Sequence, residues 1–309
     1  MRLIFMGTPE AAVPTLRRCL EDGHEVVAVW TQPDRPAGRG NKLTQPPVKD
    51  YALSRGLTVH QPAKIKTDEA RALFASYEAD AAVVVAYGRI LPPSYLNAPQ
   101  RGCINVHFSL LPKYRGAAPV NWAIARGESV TGVTTMRMDE GLDTGAILLQ
   151  RETGIGATET APELMERLAL DGADLLGATL ARLDEIAPRA QRDEDATLAP
   201  MLRREDGLID WSQDAFAIER RVRGFQPWPN AYTSYEARRM VIWGARPERD
   251  DEGTVEAGRV VEAHGDELVV ACGEQTRLRI LEIQPEGKRR MSVRDLLNGM
   301  RVRAGERFG

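Results

Sequence analysis

The chain has 309 residues, of which 43% are hydrophobic and 28% charged, and its formal net charge is -3. This length is sufficient for two domains, and the small net charge predicts no general affinity for polyanions. Any contact with nucleic acid would therefore depend on a local basic patch. Cys19, Cys103 and Cys272 are far apart and match no metal-binding spacing, which favours a reducing cytoplasm.

The N-terminal run RLIFMG is too short for a signal sequence, and the longest apolar run, AAVVVAY, is far shorter than the roughly 20 residues of a membrane span. We therefore expect a cytoplasmic protein with no membrane segment. Nothing in the sequence determines the oligomeric state, and a monomer is the simplest expectation.

The first half of the chain alternates predicted strands with predicted helices. The strands are expected at residues 2–7, 24–31, 57–62, 80–87 and 102–108, and the helices at 8–23, 67–79 and 118–128. Such alternation is typical of a Rossmann-like α/β domain with a mostly parallel sheet. Two further strand-like runs flank the turn EGLDT and predict a hairpin, which a long helix follows.

Residues 188–205 are polar and charged, and their composition predicts a linker. Beyond them we expect one helix and then a series of short strands punctuated by Gly and Asp, which is typical of a small β-barrel. The predicted organisation is an α/β domain at 1–187, a linker at 188–205 and a C-terminal OB-like β-barrel domain at 206–309.

The predicted strand CINVHF carries two polar residues that point the same way. Asn105 and His107 are two positions apart, so they share one face of the strand. Pro112 cannot continue a central strand, so the chain must leave the sheet shortly after His107. Ligands of open α/β sheets bind beyond the carboxyl ends of strands. An isolated Asn-x-His is nevertheless more often an ordinary polar pair whose hydrogen bonds are satisfied.

An amide and an imidazolium are both hydrogen-bond donors, and together they could stabilise an oxyanion that forms when an external nucleophile attacks a carbonyl. A carboxylate would keep the imidazole protonated and could relay a proton. Asp143 in the turn EGLDT is the best candidate, although a turn aspartate is usually structural. No ligand cluster indicates a metal.

The combination of INVHFSLLPKYRG and GLDTG resembles the folate-dependent formyltransferases. The resemblance implies that Asn105, His107 and Asp143 transfer a formyl group from 10-formyltetrahydrofolate to an amine. In this family a signature loop follows the strand, and a segment matching YGRILP binds the pterin chiefly through its backbone. The implied folate-binding residues are Arg89, Ile90, Leu91, Ser109, Leu110, Leu111 and Pro112.

The segment from Thr31 to Lys49 has four cationic residues against one aspartate, so its net charge is 4 - 1 = +3. Most such segments are solvated surface loops, but a basic loop can also follow a phosphate backbone. It resembles the loop with which some members of the family recognise initiator methionyl-tRNA. That resemblance implies a tRNA-binding set of Arg35, Gly38, Arg39, Asn41, Lys42 and, in the second domain, Lys288, Arg289 and Arg290.

Arg39 matches the principal arginine of that loop, whereas Asn41 replaces a residue that is more often basic or Gln. A second basic cluster comprises Arg220, Arg221 and Arg223, and either C-terminal cluster could be only a solvated face. Two other interpretations stay open. One is an enzyme of the same mechanism that formylates an amino-sugar nucleotide, and the other is a folate- or RNA-binding protein without catalysis.

Overall fold

The computed structural model describes residues 1–37, 42–250 and 255–309. The chain divides into two compact units. The first comprises Met1–Pro119, Val130–Gly154 and Met165–Ala199, and the second comprises Val120–Ser129, Ile155–Leu164 and Pro200–Gly309.

The strands that the structure describes in the first unit are two to eight residues long. They are β1 Arg2–Gly7, β2 Glu25–Trp30, β3 Arg35–Ala37, β4 Lys42–Thr44, β5 Val59–His60, β6 Ala81–Val85, β7 Cys103–His107, β8 Arg115–Gly116, β9 Val130–Arg137, β10 Ile147–Gly154 and β11 Leu198–Ala199. The helices up to that point of the chain are α1 Val13–Glu21, α2 Pro47–Ser54, α3 Asp68–Ala75, α4 Pro93–Leu96, α5 Pro119–Ala125 and α6 Ala161–Ala181.

Seven of these strands form the main sheet, in the order β10-β9-β7-β6-β1-β2-β5. The five strands from β7 to β5 run parallel, whereas β9 and β10 are antiparallel to their neighbours. Every residue of β6 and β7 is buried, as expected for parallel strands covered on both faces. The predicted mostly parallel α/β sheet and its closing hairpin are therefore confirmed.

The first helix begins later than the sequence predicts. The hydroxyl of Thr8, where the helix was expected to begin, donates to the carbonyl of Tyr87 at 3.2 Å. A 3-10 turn, Glu10–Ala12, precedes α1. The next predicted helix start is regular, because the hydroxyl of Thr67 accepts a hydrogen bond from the amide of Ala70 and caps α3.

The second unit is built on an antiparallel sheet. Its elements are α7 Ala215–Gly224, β12 Ala231–Tyr235, β13 Arg238–Arg249, β14 Val260–His264, β15 Glu267–Cys272, β16 Thr276–Pro285, β17 Met291–Ser292 and α8 Val293–Gly299. The strand order is β12-β13-β16-β15-β14, with β17 paired to β16. Ile218 and Val222 of α7 belong to the same core as Ile242 and Ile280 of the sheet. The prediction of a C-terminal β domain is therefore confirmed, and its sheet is antiparallel.

Residues 188–199 belong to the first unit, where β11 pairs with β8 and Arg189 pairs with Ile147. Short 3-10 turns lie at Asp193–Asp195 and Arg204–Gly207. The predicted boundaries at 187 and 205 stay predictions. In the part of the chain that the structure describes, none of the helices has the length and apolar character needed to cross a bilayer.

Candidate active site

His107 is the last residue of β7, and one nitrogen of its ring forms a hydrogen bond with the backbone. The side chain is buried, with 6% of the residue exposed, and Nε2 lies 2.9 Å from the carbonyl oxygen of Tyr114. A carbonyl can only accept, so Nε2 carries a proton and Nδ1 is the nitrogen left for other partners. The abrupt end of the strand therefore brings the backbone of the following loop against the imidazole.

Asp143 faces that second nitrogen. Its Oδ2 lies 3.7 Å from Nδ1 of His107 and accepts a hydrogen bond from the amide of Gly116 at 2.8 Å. Both side chains are largely buried, at 7% and 15% exposure. Asp143 has a φ of +55°, a left-handed conformation that Asp tolerates better than most residues. The structure thus joins two residues that are 36 positions apart in the printed sequence (143 - 107 = 36).

Asn105 lies two residues before His107 on β7 and is also buried, at 8% exposure. The loop that follows the strand is fixed across β9. The hydroxyl of Thr134 donates to the carbonyl of Ser109 at 2.7 Å, and the amide of Leu111 donates to the Thr134 hydroxyl at 3.1 Å. The loop from Ser109 to Pro112 is therefore anchored immediately beyond Asn105 and His107.

The four residues of this loop differ in how much surface they offer a ligand. Ser109 is fully buried and its hydroxyl donates to the carbonyl of Lys113 at 2.6 Å. Leu111 is also buried, whereas Leu110 and Pro112 are half-buried. The hydroxyl of Ser109 is thus used within the loop.

The segment after β6 lies at the same end of the parallel strands as the loop that follows β7. Gln32 crosses to it from the end of β2: its amide group donates to the carbonyl of Tyr87 at 3.0 Å and accepts from Nε of Arg89 at 3.2 Å. Ile90 is 73% exposed, whereas Leu91 is buried. Burial raises the pKa of the Tyr87 hydroxyl to about 12, so this phenol is neutral at physiological pH.

A surface pocket of about 390 Å³ lies beside this segment and is lined by Lys64, Ile65, Lys66, Arg89 and Ile90. It combines an apolar wall with three cationic side chains. Such a lining suits a ligand that has both a planar apolar part and an anionic part.

The thiol of Cys103 is a poor candidate for a nucleophile. It lies on the same strand as His107, but burial raises its pKa to about 12, so the thiolate is scarce at neutral pH. Within residues 1–37, 42–250 and 255–309, no group of three or more His, Cys, Asp and Glu side chains is arranged to hold a metal ion.

The predicted tRNA-binding residues are distributed over both units. Arg35 is exposed at the start of β3, and Lys42 begins β4, which pairs with β3. Gly38, Arg39 and Asn41 lie outside the described residues. Lys49, one of the four cations of this segment, forms an ion pair with Asp34 at 2.7 Å. The hydrogen bond from Gln61 and this lysine lower the pKa of the Asp34 carboxyl.

In the second unit Lys288, Arg289 and Arg290 are exposed between β16 and β17. Arg290 forms an ion pair with Glu282, and its guanidinium lies 5.2 Å from the ring centre of Trp243. Arg223 of the other cluster is engaged within its own unit, where Nε donates to Glu219 at 2.5 Å. Arg290 and Arg223 thus already have partners, whereas Lys288 and Arg289 present their charges to solvent.

Sequence reasoning missed several groups that build this site. They are the Tyr114 carbonyl, the Gly116 amide, the Gln32 side chain and the side chain of Gln191, which donates to the Asp143 carbonyl. Two are backbone groups, whose role no residue type reveals. The two glutamines stand in polar segments, where a hydrogen-bonding role leaves no distinctive pattern.

The structure places Asn105 and His107 at the carboxyl end of β7 in a mostly parallel sheet, with Asp143 beside His107. The profile of the formyl transferase family matches residues 1–180, and that of the formyl transferase C-terminal domain matches residues 201–301. The chain belongs to the formyl transferase family and is an enzyme of that class.

Relatives named methionyl-tRNA formyltransferase match over the full length. One from Solibacter usitatus is 49% identical, covering 100% of this chain and 99% of the relative. Another from Acidobacterium capsulatum is 50% identical, covering 100% of both.

Solved structures support the same fold at low identity. An N-formyltransferase from Helicobacter canadensis, in complex with folinic acid and dTDP-3-aminofucose, has a TM-score of 0.67 and 19% identity, covering 90% of this chain and 98% of that one. The methionyl-tRNA formyltransferase from Clostridium thermocellum has a TM-score of 0.57 and 18% identity, covering 88% and 100%.

Proposed function

We propose that this enzyme transfers the formyl group of 10-formyltetrahydrofolate to the α-amine of initiator methionyl-tRNA, a step of translation initiation in the cytoplasm. The full-length relatives at 49% and 50% identity support methionyl-tRNA as the acceptor, because both are named for it. The solved structures are too distant in sequence to distinguish a tRNA from a sugar nucleotide. The geometric observation that carries the proposal is the buried pair of His107 and Asp143, 3.7 Å apart.

In the proposed reaction the amine nitrogen attacks the formyl carbon, and the carbonyl π electrons move to oxygen. Asn105 and protonated His107 donate hydrogen bonds to that oxyanion. With Nε2 held by the Tyr114 carbonyl, the His107 donor that can face the reacting atoms is Nδ1–H. Buried donors stabilise developing charge more strongly than donors in water, because the site need not reorganise during reaction.

The attacking nitrogen must then lose a proton, and N10 of the folate must gain one as its bond to carbon breaks. In our proposal Asp143 accepts the amine proton through water and relays it to N10. Its carboxylate would also attract a protonated His107, since Oδ2 and Nδ1 lie 3.7 Å apart in a largely buried site. Catalytic contacts in unliganded enzymes are often long and tighten with substrate. The products are the formylated aminoacyl-tRNA and tetrahydrofolate.

For the folate we propose the sheet edge that carries Arg89, Ile90 and Leu91, together with the loop from Ser109 to Pro112. Ile90 is exposed and offers an apolar surface to the ring system. Ser109 contributes through the shape of the loop, because its hydroxyl already donates to Lys113.

For the tRNA we propose the basic loop from Arg35 to Lys42 and the residues Lys288 and Arg289, whose side chains are exposed. Arg290, which pairs with Glu282, would have to exchange that partner for a phosphate. The proposal needs no metal and assumes a monomer.

One assay tests the acceptor directly. The enzyme is given 10-formyltetrahydrofolate with charged initiator tRNA, charged elongator tRNA or an amino-sugar nucleotide in parallel, and formylated product is quantified. We expect turnover with initiator methionyl-tRNA. Turnover with the sugar nucleotide alone would replace the proposed acceptor, and no turnover with any acceptor would favour a binding protein without catalysis.

A further inference from the structure

A segment of the first unit runs beside both catalytic loops. We call residues 189–199 the strap. At one end Arg189 exchanges two backbone hydrogen bonds with Ile147, each 2.8 Å long. At the other end Leu198 and Ala199 pair in parallel with Arg115 and Gly116. The strap therefore spans from the strand after the Asp143 turn to the chain that follows the His107 loop.

Gln191 in the strap holds the Asp143 turn from the side. Its Nε2 donates to the carbonyl of Asp143 and to the carbonyl of Gly145, both at 2.8 Å. Its Oε1 accepts from Nε of Arg115 at 2.9 Å. The two carbonyls can only accept, so the amide nitrogen must face them. One side chain, 48 residues from Asp143 in sequence, thus bridges two carbonyls of the turn that carries the carboxylate.

This turn needs such support because its backbone is constrained. Asp143 has a φ of +55°. A Cβ on Gly145 would lie 1.9 Å from the Arg137 carbonyl, so the chain approaches β9 too closely for any other residue. A turn in a left-handed conformation persists only when its surroundings fix it.

The strap also binds the segment from Tyr114 to Gly116, whose backbone contacts both His107 and Asp143. The hydroxyl of Thr197 accepts from the amide of Tyr114 at 2.9 Å, and the Thr197 carbonyl accepts from the amide of Arg115 at 2.8 Å. Tyr114 supplies the carbonyl that binds His107, and Gly116 supplies the amide that binds Asp143. Arg115 is buried and is also paired with Asp193 of the strap at 2.9 Å.

We infer that Gln191 is a positioning residue for the formyl transfer, which sets the distance between Asp143 and His107 without touching substrate. The inference rests on the proposed function, because it assigns Gln191 an effect only through Asp143. A displacement of catalytic groups by about 1 Å can cost roughly 100-fold in rate. Gln191→Ala should accordingly lower kcat by about 10- to 100-fold and leave the KM for folate and for tRNA unchanged.

Gln191→Glu separates positioning from simple packing, since it keeps the size of the side chain and the acceptor for Arg115. Its ionised carboxylate cannot donate to the two carbonyls, but its protonated form can donate to one. The kcat of the variant divided by that of the wild type should therefore rise as the pH is lowered from about 8 to about 5, towards the ordinary range of a glutamic acid. A pH-independent ratio would contradict the donor role.

A double-mutant cycle provides the second readout. If Gln191 acts through Asp143, then Gln191→Ala should cost less than about twofold in an Asp143→Ala background, because coupled residues are not additive. Arg192→Ala, an exposed neighbour paired with Glu194, is the matched control and should keep wild-type kcat. Thermal melts of all variants identify any loss of fold.

The outcomes distinguish a failure of the role proposed for Asp143 from a failure of the role inferred for Gln191. If Asp143→Ala retains full turnover, the proposed role of Asp143 is wrong and the inference falls with it. If Asp143→Ala is inactive while Gln191→Glu matches the wild type at every pH, only the positioning role of Gln191 is overturned. Full additivity in the cycle would also overturn it, whereas the pH-dependent ratio with non-additivity would establish it.

Discussion

The turn that carries Asp143 and the hairpin of β3 and β4 differ in how strongly the surrounding structure holds them. Asp143 is 15% exposed at its side chain, and groups from Gly116 and Gln191 bind both its carboxylate and its carbonyl. The hairpin consists of two three-residue strands paired with each other. Arg35 on it is exposed and Leu43 is 63% exposed.

This difference corresponds to two kinds of recognition. Stabilising a transition state depends on donors and charges held within a fraction of an ångström, so the proposed catalytic pair, His107 and Asp143, should be fixed before substrate binds. Attraction to a phosphate backbone depends chiefly on charge and tolerates imprecise geometry. We therefore expect replacements near Asp143 to change kcat, and replacements in the basic loop to change tRNA affinity and its dependence on salt.

The largest effect should come from Asp143→Asn. The amide can still accept from the Gly116 amide, so the turn should keep its conformation, but it cannot take a proton or attract an imidazolium. We expect turnover to fall about 100- to 10,000-fold, the range for a lost acid–base group, in single-turnover kinetics.

Asp139→Asn is the matched control for this variant. Asp139 is exposed in the same connection and accepts from Gly141 and Thr144, which an asparagine oxygen can also do. It should keep wild-type turnover. If Asp143→Asn is inactive and its thermal melt shows no folding transition, the activity is lost because the protein is unfolded. Asp143 is then a structural turn residue.

Asn105→Ala should have the next largest effect. The loss of one oxyanion donor typically costs about 100- to 1000-fold in kcat. The KM values for both substrates should change little, because the interaction forms mainly in the transition state. Asn97→Ala, at the exposed end of α4, serves as the control. Near-normal kcat in Asn105→Ala would remove this residue from the mechanism.

Gly116→Ala should have a smaller effect, which it exerts on the pair of His107 and Asp143. Gly116 has a φ of +121°, and an added Cβ would lie 2.6 Å from the carbonyl oxygen of Ala199 on the paired strand. Either strand must shift, which moves the amide that binds Asp143. We expect about a 10-fold loss of kcat, as for other small misplacements, and a destabilisation of about 1–3 kcal/mol.

Gly56→Ala separates backbone strain from this collision. Gly56 also has a positive φ, +70°, but nothing lies within 4 Å of an added Cβ. This variant should lose stability by about 1 kcal/mol without any change in kcat. Equal kcat values for the two variants would show that the Gly116 amide does not position Asp143.

The sequence predicted the parts of the site that depend on local periodicity. A buried apolar run with two polar residues on one face placed Asn105 and His107 at the end of a central strand, and the turn EGLDT placed Asp143 between two strands. The sequence could not predict the strap, because residues 189–199 are mostly polar and carry no periodic pattern. The pairing of β11 with β8 joins residues 83 positions apart (198 - 115 = 83), which no local signal reports.

The smallest effect, and the one that separates the two acceptors, should come from the basic loop. Removing one phosphate contact lowers the slope of log affinity against log salt by about 0.7 to 0.9. Arg39→Ala and Lys42→Ala should each produce such a change in the binding of charged initiator tRNA, measured by filter binding across a salt series. Folate binding should be unaffected, because its proposed site is the edge at Arg89 to Leu91.

The comparison with an arginine elsewhere on the surface makes this measurement specific. Arg182 is 63% exposed near the end of α6 and is paired with Glu185, so Arg182→Ala removes the same charge from the molecule without altering the loop. Net charge alone would lower the slope equally in all three variants. A change confined to Arg39→Ala and Lys42→Ala therefore assigns the contact to the loop. Unchanged slopes in both, with undiminished formylation of tRNA, would mean that the loop does not bind tRNA.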